Sequence, residues 1–184
     1  MEMVETVSVM IPEERLLARV RELAEEITSD YAGCEELKLI CILKGSVFFT
    51  TELAKRIDLP IKLDFMSVSS YGDDVESSGR VRIVKDLDET IRGQHVIVVE
   101  DIVDSGRTLA FLLEMLKSRQ PESLALCTLL DKPSRRVTDV KVQYTGFEIP
   151  DEFVVGFGLD YAQKYRALPF IGKLSITKED GETE

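Results

Sequence analysis

Four consecutive β-branched residues, Val96 to Val99, restrict the fold of this chain more than any other feature. β-Branched side chains favour strands, and a strand without alternating polar positions must be covered on both faces. In soluble proteins this arrangement is typical of a parallel sheet with helices on either side. We therefore predict an α/β protein in which Val96 to Val99 forms the central strand.

Strand-like and helix-like segments alternate along the rest of the chain. We predict strands at Lys38 to Leu43, Ile61 to Ser67, Val81 to Val84, Ser123 to Leu130 and Phe153 to Phe157, and helices at Pro12 to Tyr31, Val47 to Ile57 and Leu109 to Arg119. The alternation predicts a central, mostly parallel sheet flanked by helices. The polar segment Ser70 to Gly79 has little to bury, so we expect a mobile loop there and a disordered acidic tail at Thr177 to Glu184.

The 184 residues suggest a single domain spanning residues 1–184. The formal net charge of −11 argues against non-specific nucleic-acid binding, which requires a cationic face. The three cysteines form no C-x-x-C pair, and their odd number indicates a reducing compartment. The N-terminus lacks a basic or apolar leader, and no stretch approaches the roughly 20 apolar residues of a membrane span. We expect a soluble, cytoplasmic protein that does not bind membranes.

Two acids and a small-residue loop follow the central strand. In open α/β sheets, ligands bind beyond the carboxyl ends of the strands, where Glu100 and Asp101 lie. The loop from Asp104 to Thr108 then opens a helix, whose free N–H groups and dipole favour an anion. Gly106 allows a ligand to approach the backbone closely. These features predict a phosphate-binding loop beside a diol or metal site.

The charges of this segment narrow the ligand. Acids before and inside a phosphate loop would repel a phosphorylated ligand unless a cation or hydroxyl groups intervened, which indicates a ribose phosphate loaded with Mg²⁺. In the simpler alternative, Asp104 only caps the helix, and Glu100 and Asp101 are solvated carboxylates at a strand end.

The segment Val96 to Leu109 resembles the phosphoribosyl diphosphate (PRPP) signature of the type I phosphoribosyltransferases. Further segments resemble the bacterial hypoxanthine (hypoxanthine-guanine) members of that family: Leu43 to Ser46, Ser70 to Gly72, Leu130 to Pro133, and Phe153 to Gly156, with Asp160, Tyr161 and Arg166. The resemblance covers about Pro12 to Leu174. It implies the type I phosphoribosyltransferase fold, with a small hood built from the N- and C-terminal parts, and a homodimer or homotetramer.

The resemblance also implies roles for individual residues. The PRPP-binding residues would be Glu100, Asp101, Asp104, Ser105, Gly106, Arg107 and Thr108, of which the first two hold the ribose hydroxyls directly or through Mg²⁺. Pyrophosphate would be bound by Lys44, Gly45, Ser70, Tyr71 and Arg166, and the peptide bond before Lys44 is often cis in this family. Asp160 would join a second Mg²⁺ site through water. The purine would be bound by Lys132, Phe153 and Val154. Arg135 and Arg136, in the turn after Lys132, are expected at the surface or at a subunit interface.

The activity implied by the resemblance is purine salvage. The 5-phosphoribosyl group of PRPP would move to N9 of hypoxanthine or guanine, giving IMP or GMP and pyrophosphate, and Asp104 would be the catalytic residue that handles the N7 proton. The Lys132 ammonium only donates hydrogen bonds, so it suits the O6 acceptor of a 6-oxopurine. Two alternatives stay open: a xanthine- or guanine-preferring relative, and a nucleic-acid-binding regulator with the same fold. The net charge and the lack of a DNA-binding domain ahead of Pro12 disfavour the regulator.

Overall fold

In the computed structural model, which describes residues 3–70 and 81–178, strands and helices alternate as the sequence predicts. The strands are β1 (Met3–Ile11), β2 (Leu37–Leu43), β3 (Ile61–Ser70), β4 (Val81–Lys85), β5 (His95–Val103), β6 (Ser123–Asp131), β7 (Tyr144–Glu148), β8 (Val154–Val155) and β9 (Ile171–Lys178). The helices are α1 (Glu13–Asp30), α2 (Val47–Ala54) and α3 (Arg107–Ser118), and a short 3-10 turn spans Pro133–Arg135. The predicted mobile loop lies outside the described residues, apart from Ser70.

The larger sheet has six strands in the order β4-β3-β2-β5-β6-β7. Its strands are parallel except β4, which pairs antiparallel with β3 at the edge. The predicted central position of Val96 to Val99 is confirmed, because β5 lies between β2 and β6 and these four residues are completely buried. The α/β fold class is therefore confirmed.

Helices cover both faces of this sheet. Helices α1 and α2 pack on one face through residues that include Leu16, Val20 and Phe49. Helix α3 packs on the opposite face through Leu112 and Leu116. Helices α1 and α3 have their buried apolar residues mostly at a spacing of three or four, so that one side of each helix enters the core. None of the helices in the described ranges is long and apolar enough to cross a membrane.

A second, antiparallel sheet has the order β1-β9-β8 and forms the hood expected from the N- and C-terminal parts. Two expectations about this region are wrong. Thr177 and Lys178, placed in the disordered tail, pair with β1 as the end of β9. The strand predicted at Phe153 to Phe157 is reduced to β8, because Gly156 and Phe157 have φ values of 97° and 48° and leave the extended conformation.

Candidate active site

The loop between β5 and α3 is a tight, braced turn. Gly106 precedes the helix with φ 81°, and a Cβ there would lie 2.6 Å from the Thr138 carbonyl oxygen. The N–H groups of Val137 and Thr138 donate to the Ser105 carbonyl at 3.0 and 3.1 Å. The Arg107 N–H lies 3.5 Å from the Ser105 hydroxyl. The loop is therefore held in one shape, and the N-terminus of α3 that follows it favours an anion.

A cleft of about 280 Å³ opens beside this loop, at the carboxyl ends of β2, β3 and β5. It is lined by Ile42, Leu43, Gly45, Val68, Glu100, Asp101, Ile102, Asp104, Ser105, Gly106, Thr108 and Leu109. These include six of the seven predicted PRPP-binding residues; the seventh, Arg107, is exposed. A larger cavity of 520 Å³ beside α3 contains none of the predicted site residues. The fold thus brings all the predicted PRPP residues except Arg107 together in one cleft.

The adjacent carboxyl groups of Glu100 and Asp101 repel each other when both are charged, and a bound cation would reduce this repulsion. Burial raises the pKa of Glu100 well above its ordinary value, and the neighbouring Asp101 carboxylate raises it further by repulsion. Gly45 lies against the Asp101 carboxylate, since a Cβ on Gly45 would lie 2.6 Å from Asp101 Cγ. Crowded oxygen ligands of this kind fit a hard cation such as Mg²⁺. Within the described residues, no three His, Cys, Asp or Glu side chains form a cluster that could hold a metal ion.

The predicted pyrophosphate loop follows β2. The peptide bond before Lys44 is cis, and the Lys44 side chain is exposed. Ser46 is buried and donates to the Ile42 carbonyl at 2.6 Å, which closes the loop. A Cβ on Gly158 would overlap the Gly45 carbonyl, so the loop after β8 packs directly on this one. This contact brings the two glycine-containing loops together at the cleft.

Arg166 and Asp160 are each other's partners in this structure. Arg166 Nη2 lies 2.6 Å from Asp160 Oδ1, and the guanidinium also donates to the Gly158 carbonyl. The same loop is tied to β1, because Tyr165 donates to the Glu5 carboxylate and Lys164 Nζ lies 3.0 Å from it. The hydrogen bond from Tyr165 has the largest effect on the Glu5 carboxyl and lowers its pKa, and the hydrogen bond from Lys164 lowers it further. The hood strand therefore anchors the loop that carries the predicted pyrophosphate and metal residues.

The predicted purine residues lie on the β6 and β8 side of the site. The backbone N–H of Lys132 donates to the carbonyl of Val103 at 2.9 Å, which ties Lys132 to the end of β5. Phe153 is 53% exposed and stands edge-on to Tyr161, with ring centroids 5.7 Å apart. Val154 is buried in β8. An exposed, braced aromatic ring offers a face on which a planar ligand can stack.

Asp104 is not the helix cap that the simpler alternative assumed. The residue at the N-cap of α3 is Gly106, without a side-chain capping hydrogen bond. The Asp104 carboxylate instead accepts from Arg135 Nε at 3.2 Å. Sequence reasoning placed Arg135 only in the turn after Lys132, at the surface or at a subunit interface, because its contact with Asp104 joins two segments that are brought together by the sheet.

Two of the predicted pyrophosphate residues lie at or beyond the limit of the described residues. Ser70 ends β3, but its side chain is not described, and Tyr71 lies outside the described residues. Their assignment to pyrophosphate stays a prediction.

Comparisons with known proteins agree with this arrangement. The family model for the phosphoribosyl transferase domain matches residues 11–162. A hypoxanthine phosphoribosyltransferase from Salmonella typhimurium is 52% identical over 175 residues, which cover 95% of this chain and 98% of the relative. A solved hypoxanthine-guanine phosphoribosyltransferase from Bacillus anthracis superposes with a TM-score of 0.87 at 46% identity, covering 94% of this chain and 99% of that one. A hypoxanthine phosphoribosyltransferase from Staphylococcus aureus gives a TM-score of 0.88 at 48% identity, with 91% of both chains covered.

Proposed function

The chain belongs to the phosphoribosyltransferase family, and from that premise we propose that it is a hypoxanthine phosphoribosyltransferase of purine salvage. It transfers the 5-phosphoribosyl group of PRPP to N9 of hypoxanthine or guanine and releases pyrophosphate, giving IMP or GMP. The observation that carries the proposal is the cleft in which a helix N-terminus, an acid pair and a glycine loop meet beyond the ends of parallel strands.

The phosphoribosyl end of PRPP is assigned to the loop and the acid pair. Backbone N–H groups at the start of α3, with the Ser105 and Thr108 hydroxyls, bind the 5′-phosphate. Glu100 and Asp101 hold the ribose hydroxyls, and they are also the residues that would hold Mg²⁺. When bound there, Mg²⁺ would offset the charge of the acids and of the diphosphate.

The leaving pyrophosphate is assigned to the loop after β2 and to Arg166. The Lys44 ammonium, the Gly45 backbone and the Arg166 guanidinium neutralise the charge that develops on departing pyrophosphate. Arg166 is paired with Asp160 in this structure, and Asp160 would join a second, water-mediated Mg²⁺ site next to it.

The purine is recognised along its O6–N7 edge. The Lys132 ammonium donates to O6, Phe153 stacks on the ring, and the Val154 backbone meets the far edge. As N9 bonds to the anomeric carbon and the bond to pyrophosphate breaks, the Asp104 carboxylate accepts the N7 proton. Adenine presents an amino group where Lys132 needs an acceptor, so it is rejected.

A steady-state comparison of hypoxanthine, guanine, xanthine and adenine with PRPP and Mg²⁺ tests this proposal. We expect IMP and GMP to form readily and AMP to form poorly. Xanthine as the preferred base would support the xanthine-preferring alternative, and equal use of adenine would contradict the role of Lys132. Strong retention on heparin at low salt, with no nucleotide formed, would favour the regulator.

The similarity to the family supports a proposal for the assembly and the location. We infer a homodimer or homotetramer in the cytoplasm, consistent with three unpaired cysteines. Light scattering coupled to size-exclusion chromatography measures the assembly.

A further inference from the structure

A row of four charged side chains, alternating in sign, connects the residue assigned to the purine's O6 atom with the residue assigned to its N7 atom. Lys132 Nζ lies 3.6 Å from Asp151 Oδ1, and Asp151 Oδ2 lies 3.7 Å from Arg135 Nη1. Arg135 Nε then donates to Asp104 Oδ1 at 3.2 Å. The row runs from ammonium to carboxylate to guanidinium to carboxylate.

The ends of this row face adjacent atoms of one substrate edge. In the proposed function, Lys132 donates to O6 and Asp104 accepts from N7, whereas Asp151 and Arg135 contact neither atom. We propose that Arg135 and Asp151 are positioning residues that set the separation of the Lys132 ammonium and the Asp104 carboxylate, so that both meet the O6–N7 edge of a 6-oxopurine. This inference rests on the proposed function.

The backbone holds both middle residues in place. The N–H of Arg135 donates to the Lys132 carbonyl at 3.0 Å, within the 3-10 turn Pro133–Arg135. On the other side, the N–H of Ile149 donates to the Asp131 carbonyl at 2.9 Å, which fixes the start of the loop that carries Asp151. Lysine is a point charge on a flexible stem, so its ammonium needs a fixed countercharge to occupy one position. Asp151 supplies that countercharge.

The exposure of the side chains in the row helps to distinguish a role in positioning the substrate-binding groups from a role in stabilising the fold. The Arg135, Asp151 and Asp104 side chains are 54%, 54% and 48% exposed. The two ion pairs of Arg135 are about half exposed at both ends, so their loss in Arg135→Ala should not change the thermal midpoint noticeably. The Lys132 side chain is only 10% exposed, so Asp151→Asn is compared with Asp151→Glu, which keeps the countercharge of the ammonium. A bound purine shields the row from water and strengthens its interactions, so their loss should change the kinetics.

Single substitutions of Asp151 and Arg135 test the contribution of each residue to the kinetics separately. For Asp151→Asn we expect the KM for hypoxanthine to rise about five- to tenfold while kcat changes less than about twofold. For Arg135→Ala we expect kcat to fall about five- to tenfold, with the KM for PRPP unchanged. The conservative variants Asp151→Glu and Arg135→Lys should recover part of each loss.

A second surface ion pair provides the matched control. Arg119 Nη1 lies 2.7 Å from Asp86 Oδ1, and Arg119 follows α3 at its far end, about 18 Å along the helix from the phosphate loop. Arg119→Ala and Asp86→Asn should leave both KM values and kcat at the parent level.

The outcomes are distinct. If Asp151→Asn and Arg135→Ala behave like the controls, the row does not position anything and the inference is wrong. It is equally overturned if activity falls together with the thermal midpoint and the conservative variants recover nothing, because the residues are then structural. Failure of the parent enzyme to form IMP would instead overturn the proposed function, and this inference with it.

Discussion

Replacement of Asp104 by asparagine separates a carboxylate that accepts a proton from one that only forms a surface ion pair. Asparagine keeps the size of the side chain and one hydrogen-bonding oxygen, but it cannot accept the N7 proton at neutral pH. The two roles therefore predict different losses from the same change.

The exposure of the Asp104–Arg135 pair and the usual magnitude of general-base catalysis give the size of each loss. The only described ion pair of Asp104 is with Arg135 at 3.2 Å, and both side chains are about half exposed. Such pairs contribute about 0.2–1 kcal/mol, which for a chain of this size shifts the melting temperature by no more than about 4 °C. Loss of a general base lowers kcat by about 10²- to 10⁴-fold, equivalent to about 2.7–5.4 kcal/mol of transition-state stabilisation. The two effects differ enough to be told apart.

The assay is steady-state IMP formation from hypoxanthine and PRPP, with thermal unfolding of the same preparations. We expect Asp104→Asn to melt within a few degrees of the parent, to bind PRPP with similar affinity, and to lose at least about 10²-fold in kcat. Asp86→Asn, which removes an ion pair away from the cleft, is the control and should keep parental kinetics. A near-parental kcat for Asp104→Asn would refute the catalytic assignment, even with the family membership intact.

Three further predictions test other parts of the site. Lys132→Ala should raise the KM for hypoxanthine and narrow the discrimination against adenine without changing the KM for PRPP; unchanged discrimination in competition assays would contradict the O6 assignment. Gly45→Ala should raise the KM for PRPP by at least about tenfold, because the new Cβ displaces the Asp101 carboxylate, and unaltered PRPP kinetics would show that the loop can give way. Glu5→Gln should lower the melting temperature more at pH 7 than at a pH below the ordinary pKa of Glu5, since that pKa is depressed in the fold: the carboxylate stabilises the fold above its ordinary pKa and loses that effect as pH falls through the lowered value. Equal shifts of the melting temperature at both pH values would contradict a contribution of the Glu5 charge to stability.

Features encoded in consecutive residues could be predicted from the sequence. The run Val96 to Val99 indicates a strand buried on both faces, and the structure places it at the centre of the sheet. Helix α1 begins and ends within one residue of its predicted limits, because its apolar spacing continues over its whole length. The PRPP loop follows its strand directly, so strand, acid pair and helix start were all contained in one segment.

Features that depend on distant partners could not be predicted in this way. Strands β1 and β9 pair Met3 with Lys178, and no local pattern in either segment indicates a partner so far away in the chain. The overlap that a Cβ on Gly158 would make with Gly45 likewise joins loops far apart in the chain.

The sequence alone thus determined the α/β class, the family and the residue types of the cleft, because a strand, a phosphate loop and their flanking acids are local patterns of neighbouring side chains. The tertiary structure alone decided which charges face one another: it paired Arg166 with Asp160 and connected Lys132 to Asp104 through Asp151 and Arg135. The physical reason is that an ion pair depends on distances of a few ångströms, and those distances are set only when the parallel sheet brings the ends of separate strands to one edge.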